Sequence, residues 1–246
     1  MKQKTILLVI PVYNEETVLE QSIEKLHNFF QEKKLSFSYH ICIADNGSTD
    51  NTGVIAKNLS KTYPHITYFY IDQKGRGRTL KKVWIESSAD IVSYMDVDLS
   101  TDLEAFPSLI TAILNGADIA TGSRYIPTSK IDRKPIREFL SRGYNLLLQF
   151  FFRISVRDSQ CGFKALSKKT ADFLLPKVKD NYWFFDTELL LLADYYHLNI
   201  IEIPIRWEKS KYSKVKIPST AYVYIKNMIR MKFRLKHETK NSTPHL

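Results

Sequence analysis

The sequence predicts an α/β protein built on an open, mostly parallel, doubly wound sheet. Three observations predict it. Short apolar runs alternate with stretches of helical period from residue 5 to residue 124. The first run, Thr5-Ile6-Leu7-Leu8-Val9-Ile10, is continuously apolar, as in a strand covered on both faces. The polar groups gather at Tyr13-Asn14-Glu15, Asp45-Asn46, Asp96-Val97-Asp98 and Ser123-Arg124. Those are the carboxyl ends of the predicted strands, where such sheets collect ligands.

Pro11 stops the first strand. Asn14 is placed to cap the following helix, with Glu15 and Glu16 in its dipole-favoured first turn and Leu19, Ile23, Leu26 and Phe30 as its core stripe. His40 to Ala44 forms a second strand that ends at Asp45-Asn46-Gly47-Ser48-Thr49-Asp50, before a helix through Val54, Ile55 and Leu59. Ile66 to Ile71 reads as a third strand, and Leu80, Val83 and Trp84 lie on a short third helix. Ile91 to Met95 is a fourth strand, closed by Asp96-Val97-Asp98. Phe106, Leu109, Ile110 and Ile113 mark a helix ending at Asn115-Gly116, a favourable C-cap. Asp118 to Thr121 begins the next strand and leads to Gly122-Ser123-Arg124.

Composition sets the limits. The chain has 246 residues, 44% apolar and 25% charged, which is globular usage and excludes a disordered or fibrous protein. Two cysteines exclude a disulfide scaffold, and no Cys/His spacing suits zinc. The longest greasy stretch, Tyr144 to Val156, is broken by Gln149 and Arg153 and is too short to cross a bilayer. The start, Met1-Lys2-Gln3-Lys4, runs straight into a strand without a signal-peptide core, so a reducing, cytoplasmic-side location is the expectation. The net charge of +10 is concentrated in residues 128–169 (+7) and 206–246 (+9), which points to an anionic partner.

Asp96 and Asp98 alternate at a strand end and repel one another unless a cation lies between them. Mg²⁺ or Mn²⁺ with phosphate oxygens and water completes such a set; two solvated loop carboxylates, with Asp102 capping the next helix, are the alternative. Asp45 and Asn46 suit a base or ribose, and equally an Asx turn. Gly75-Arg76-Gly77-Arg78 is cationic but lacks the Walker Lys-Ser/Thr and the G-x-G-x-x-G spacing, so it reads as a phosphate-facing loop or a plain turn.

Taken in order, Pro11-Val12-Tyr13-Asn14-Glu15, Asp45 to Asp50, Asp96-Val97-Asp98 and Gly122-Ser123-Arg124 resemble family 2 of the inverting glycosyltransferases, with the GT-A fold. Downstream, Arg157 to Lys164, Phe185-Asp186-Thr187-Glu188-Leu189 and Ser213-Lys214 resemble the dolichyl-phosphate glucosyltransferase branch; the dolichyl-phosphate mannosyltransferases share most of this framework. The resemblance covers residues 5 to 235. It implies that Pro11, Tyr13, Glu15, Ile43 and Asp45 surround the nucleotide, and that Asp96, Val97 and Asp98 hold metal and diphosphate. Ser100, Arg206 and Lys214 complete the donor side, with Ser100 standing where mannosyltransferases usually carry Gln. Arg124 would reach the diphosphate or the acceptor phosphate, which Arg137 and Ser141 would hold. Arg76 replaces the Lys usual in a Gly-Lys-Gly turn. The organisation implied is a single domain over residues 1–236, with a nucleotide-sugar half at 1–127, an acceptor and membrane-facing half at 128–236, and a polar tail at 237–246.

The implied reaction is attack by a polyprenyl-phosphate oxygen on the anomeric carbon of a nucleotide sugar, UDP-glucose before GDP-mannose, with Mg²⁺ or Mn²⁺ as cofactor. A phosphate monoester is ionised near neutral pH, so no strong base is needed and fixed positive charge carries the chemistry. Asp186 is a candidate catalytic group for orienting a sugar hydroxyl or deprotonating a sugar acceptor, with Glu188 the more structural of the two. A hydroxyl acceptor on a polysaccharide or glycolipid would make Asp186 the base. Phe139, Leu140, Leu146 to Leu148 and Phe150 to Phe152 form a greasy helix flanked by Arg137, Arg142, Arg153 and Arg157. Tyr222, Ile225, Ile229 and Phe233 form an apolar stripe beside a basic one at Lys226, Arg230 and Arg234. Such faces suit an anionic membrane surface, on the cytoplasmic side and without a transmembrane helix. A nucleic-acid partner is not expected, because no known nucleic-acid motif accompanies the basic blocks.

Overall fold

The structure is a computed structural model that describes residues 3–33, 35, 37–132, 135–208 and 217–237. In the N-terminal half the elements are β1 (Thr5–Val12), α1 (Leu19–Glu32), β2 (Ser38–Asp45), α2 (Thr52–Thr62), β3 (Ile66–Tyr70), α3 (Arg76–Glu86), β4 (Ile91–Met95), α4 (Phe106–Leu114) and β5 (Ile119–Ser123). The second half adds β6 (Lys130–Asp132), α5 (Pro135–Phe152), β7 (Phe163–Ser167), α6 (Lys168–Leu174), α7 (Phe185–Tyr195), β8 (Ile200–Pro204), β9 (Arg206–Glu208) and α8 (Ile217–His237).

β1 lies between β2 and β4, parallel to both. Its alternating side chains feed two cores, one on each face of the sheet. Ile6, Leu8 and Ile10 pack with the α1 stripe of Leu19, Ile23, Leu26 and Phe30, while Leu7 and Val9 pack with Leu80, Trp84 and the α7 leucines. Burial on both faces explains why this strand carries no polar alternation. Among the described residues the main sheet has the order β3-β2-β1-β4-β7-β5-β8.

The mostly parallel sheet expected from the sequence is found, with β7, a strand the sequence reading did not pick out, inserted antiparallel between β4 and β5. β7 brings Lys164, fully buried, into the middle of the molecule. Asn14 does not cap α1. It sits at φ 55°, five residues before the helix begins, and its side-chain oxygen accepts from Thr49 N–H while its own N–H donates to Ser48 Oγ. The residue ties the loop after β1 to the loop after β2, a use that the left-handed tolerance of asparagine permits. Gly116, at φ 97° just past α4, does take the left-handed conformation expected after that helix.

A small second sheet of β6 and β9 flanks the loop after β4. Glu208 N–H donates to Ser100 O and Asp102 N–H donates to Arg206 O, while Thr101 bridges to Trp207. The segment after Asp98 is thereby held on both sides by backbone pairing. Among the described residues no helix is long and apolar enough to cross a membrane. Residues 238–246, most of the expected polar tail, lie outside the described residues.

Candidate functional site

The carboxyl ends of β1, β2 and β4 converge on one edge of the sheet. Asp45 closes β2 with its carboxylate buried: Oδ1 accepts from Ser48 N–H at 2.9 Å and Oδ2 from the Tyr68 hydroxyl at 3.0 Å. The carboxylate thus ties down its own loop through the N–H three residues on. Burial, then the nearby Asp45 charge, pushes the Tyr68 phenol well up, so it stays protonated as a donor. Asn46 donates to Val12 O at 2.6 Å and accepts from Gly75 N–H at 3.1 Å, joining the ends of β1 and β2 to the start of α3. Glu15 N–H donates to Thr52 Oγ1 at 2.8 Å. Tyr13 faces the same edge and carries the Lys74 ammonium 3.8 Å from its ring centre. Pro11, Ile43 and Val97 are buried in the core, with Ile43 fully enclosed, so its side chain shapes the wall from behind rather than touching a ligand.

At the end of β4, Asp96 and Asp98 flank buried Val97. Asp98 Oδ1 accepts from Ser100 N–H at 3.2 Å, and the turn places Leu99 at φ 47°. The Asp96 side chain is 45% exposed. Desolvation by the protein beneath it, with the charges of Asp98 and Asp186, raises its pKa to about 6 against the opposing pull of Arg76 and Lys164. Arg76 Nη1 lies 3.3 Å from Asp96 Oδ1. The same guanidinium donates from Nη2 to Asp186 Oδ2 at 2.5 Å and to the Tyr94 hydroxyl at 2.6 Å. Asp186 Oδ1 accepts from the Tyr94 hydroxyl and pairs with Lys164 Nζ at 3.1 Å. Gly162 makes room for this arrangement: a Cβ there would lie 1.9 Å from Asp96 Oδ2.

No group of three or more His, Cys, Asp or Glu side chains converges among the described residues. Asp96 and Asp98 nevertheless supply two carboxylates at one strand end, both partly exposed. That donor set fits a hard divalent ion whose remaining ligands come from phosphate and water.

Arg124 follows β5 and is buried against Asp158. Nε and Nη2 donate to the two carboxylate oxygens at 2.7 and 2.8 Å, and the backbone N–H adds a third bond at 3.0 Å. The pairing raises the guanidinium pKa and lowers that of Asp158, though burial alone would push each the other way. The free phosphate-reaching cation expected from the sequence is thus a closed ion pair here, because Asp158 arrives from a distant loop. Ser141 is buried and donates to Gln160 Oε1 at 3.0 Å; Arg137 lies one turn earlier in α5, and its side chain is outside the described residues. Ser100 Oγ is buried without a partner, whereas Arg206 pairs with Glu208 at 2.9 Å on the surface. Lys214 lies outside the described residues.

α5 and α8 expose apolar side chains. Phe139 and Phe150 of α5 are 73% and 79% exposed, with Ile136 and Leu146 beside them. Ile225, Ile229 and Phe233 expose a matching stripe on α8, and Tyr224 stacks on Tyr144 between the two helices at 5.0 Å. The basic stripe is different from the expectation. Arg230 and Arg234 turn inward to Glu188, which is fully buried and also accepts from Lys179 and Asp180 N–H. A buried carboxylate needs such partners, so two of the three basic side chains anchor α8.

A family model for glycosyl transferase family 2 matches residues 7–174. The chain belongs to this family. It is 34% identical over 210 residues to glycosyltransferase AglD of Haloferax volcanii, covering 85% of this chain and 34% of that protein. It is 31% identical over 221 residues to dolichyl-phosphate beta-glucosyltransferase ALG5A of Trichomonas vaginalis, covering 85% and 68%. The chain thus spans about a third of AglD's length and about two thirds of ALG5A's. The fold matches that of glucosyl-3-phosphoglycerate synthase from Mycobacterium tuberculosis, solved with Mn²⁺, UDP-glucose and phosphoglyceric acid, at a TM-score of 0.67 and 17% identity over 96% of this chain and 81% of that one. The family-2 resemblance and the GT-A fold expected from the motifs are therefore both found.

Sequence reasoning singled out neither Tyr94, Asp158 nor Lys164 as a functional residue. A lysine inside the apolar run Phe163-Lys164-Ala165-Leu166 was the available signal, since a buried ammonium needs a carboxylate. Asp158 lies in the Arg157-to-Lys164 motif, but that motif does not reveal its partner, which lies 34 residues away.

Proposed function

We propose that the chain is a metal-dependent, inverting glycosyltransferase moving a hexose from a nucleotide sugar to a polyprenyl phosphate at a membrane surface. UDP-glucose is the first donor and GDP-mannose the second. The observation that carries this reading is the pair Asp96–Asp98 at the end of β4, both partly exposed, with the Arg76 guanidinium 3.3 Å from Asp96. Likeness to ALG5A, a dolichyl-phosphate beta-glucosyltransferase, supports the lipid-phosphate acceptor.

Asp96 and Asp98 would hold Mg²⁺ or Mn²⁺, which when bound neutralises charge on the departing diphosphate. Tyr13, Glu15 and Asp45 line the nucleotide edge. Arg137 and Ser141 of α5 would hold the acceptor phosphate, which arrives already ionised. No residue has to remove a proton from it. That agrees with Asp186, whose oxygens are engaged by Arg76, Tyr94 and Lys164, and it leaves a hydroxyl-acceptor reaction without its base. Arg124, neutralised by Asp158, shapes the pocket through Tyr125 and Trp207, whose rings lie 5.6 and 5.9 Å from its guanidinium carbon. The exposed phenylalanines of α5 and α8 suit a bilayer surface that presents the lipid, on the cytoplasmic side of the membrane.

Purified protein with Mg²⁺ or Mn²⁺, labelled UDP-glucose or GDP-mannose, and dolichyl or undecaprenyl phosphate is expected to yield a mild-acid-labile glycolipid. Asp98→Asn should lower turnover by about 10²–10³-fold with an unchanged melting temperature, the scale of losing one key stabilising group. No lipid product with either donor overturns the reading.

A further inference from the structure

Asp186 sits at the start of α7 with its side chain only 4% exposed. A general base needs a free lone pair within about 2.6–3.2 Å of the proton it takes. Asp186 is enclosed, and both of its oxygens already hold donors: Oδ2 accepts from Arg76 at 2.5 Å, and Oδ1 accepts from Tyr94 and faces Lys164 at 3.1 Å. What Asp186 does control is Arg76. That guanidinium is also packed between two aromatic rings, 5.0 Å from the centre of Tyr94 and 5.1 Å from that of Trp183. Its Nη1 faces Asp96 Oδ1 at 3.3 Å, and its Nε–H is buried with no partner, an unused donor.

The backbone enforces the same contact. Gly75 has φ 152°, and a Cβ on it would lie 2.6 Å from Asn181 O; one on Gly77 would lie 2.7 Å from Phe185 Cβ. The start of α3, which carries Arg76, is therefore pressed against the segment that leads into Asp186. Arg78 N–H completes the contact by donating to Asn181 O at 3.1 Å.

We propose that Asp186 is a positioning residue. Through Arg76 it orients the Asp96 carboxylate and stations one guanidinium beside the subsite for the donor's diphosphate. The inference rests on the donor reading given above. Lys164 and Tyr94 keep Asp186 in place, so Arg76 holds its position before any ligand arrives. A fixed cation is worth more to a diphosphate than a mobile one, since no reorganisation accompanies binding.

The test is a double-mutant cycle read by calorimetry, with Mn²⁺·UDP and Mn²⁺·GDP as probes and no acceptor present. Asp186→Asn and Arg76→Met are each expected to weaken binding of the preferred nucleotide by about 10–100-fold, the usual scale for residues supporting a metal ligand. The double variant is expected to bind no more weakly than the worse single one, because Asp186 acts through Arg76. Arg76→Lys keeps the charge without the planar fork and should fall between wild type and Arg76→Met. It also leaves Asp186 and Lys164 paired, so it carries the test should Asp186→Asn lower the melting temperature. Penalties that multiply in the double variant overturn the proposal. So does an Asp186→Asn protein that loses turnover while its nucleotide affinity stays at the wild-type value. Wild-type protein that binds neither nucleotide overturns the donor reading itself, and the inference with it.

Discussion

Two buried arginine–aspartate pairs stand in this protein, one just after β5 and the other between the starts of α3 and α7, and they are built differently. Arg124 and Asp158 form a closed unit, with both carboxylate oxygens taken by one guanidinium and the backbone N–H adding to them. Arg76 and Asp186 form an open one, in which the aspartate is shared with Tyr94 and Lys164 and the guanidinium reaches on to Asp96. The closed pair fixes a loop. The open pair leaves a cation beside a partly exposed carboxylate. Residue type alone does not separate these roles; the number of partners on each side does.

The comparison is most sharply tested on the closed pair. Asp158→Ala strands a buried guanidinium and is expected to cost about 3–5 kcal/mol of stability, measured by urea unfolding. Nucleotide affinity measured where the variant remains folded should change little. A loss of affinity without a loss of stability would mean that Arg124 belongs to the ligand site after all.

A smaller effect is expected at Gly162, which lies under the open pair. A methyl group there would stand 1.9 Å from Asp96 Oδ2, so Gly162→Ala must displace that carboxylate or the backbone of β7's leading turn. Overpacking of this kind costs about 1–3 kcal/mol. Turnover should fall further than this stability loss accounts for, because the displaced group is the proposed metal ligand. A variant that unfolds at the same urea concentration as wild type and keeps full activity would show that Asp96 moves freely.

The smallest effect serves as a control far from the site. Asp90 accepts from Lys4 Nζ at 2.7 Å and from Thr5 N–H at 2.9 Å, and these bonds lower its pKa to about 2. Its unfolded value is about 3.9. The depressed folded value means that Asp90 stabilises the protein above the unfolded pKa, and that this contribution is lost as pH falls through about 2. The urea midpoints of wild type and Asp90→Asn should therefore differ by a constant amount above about pH 5 and converge toward pH 2. Midpoints that diverge on acidification would contradict the pairing.

Much of the fold is legible from local pattern. The continuous apolar run of Thr5 to Ile10 requires cover on both faces, and the stripe of Leu19, Ile23, Leu26 and Phe30 faces one of the two resulting cores. The positions of Asp45, Asp96 and Asp98 at strand ends follow from the same alternation. The insertion of β7 does not, because a five-residue strand says nothing about which neighbours it will join or in which direction. Nor does the inward turn of Arg230 and Arg234, which depends on Glu188 more than forty residues away.

The sequence by itself determined the alternating architecture, the family and the set of carboxylates available at the strand ends, since periodicity and short motifs are properties of contiguous residues. Only the tertiary structure decided which charge meets which. Arg124 is neutralised, Arg76 is shared and Asp186 is enclosed, because electrostatic partners are chosen by proximity in space, and that proximity is created when the sheet assembles strands from both halves of the chain.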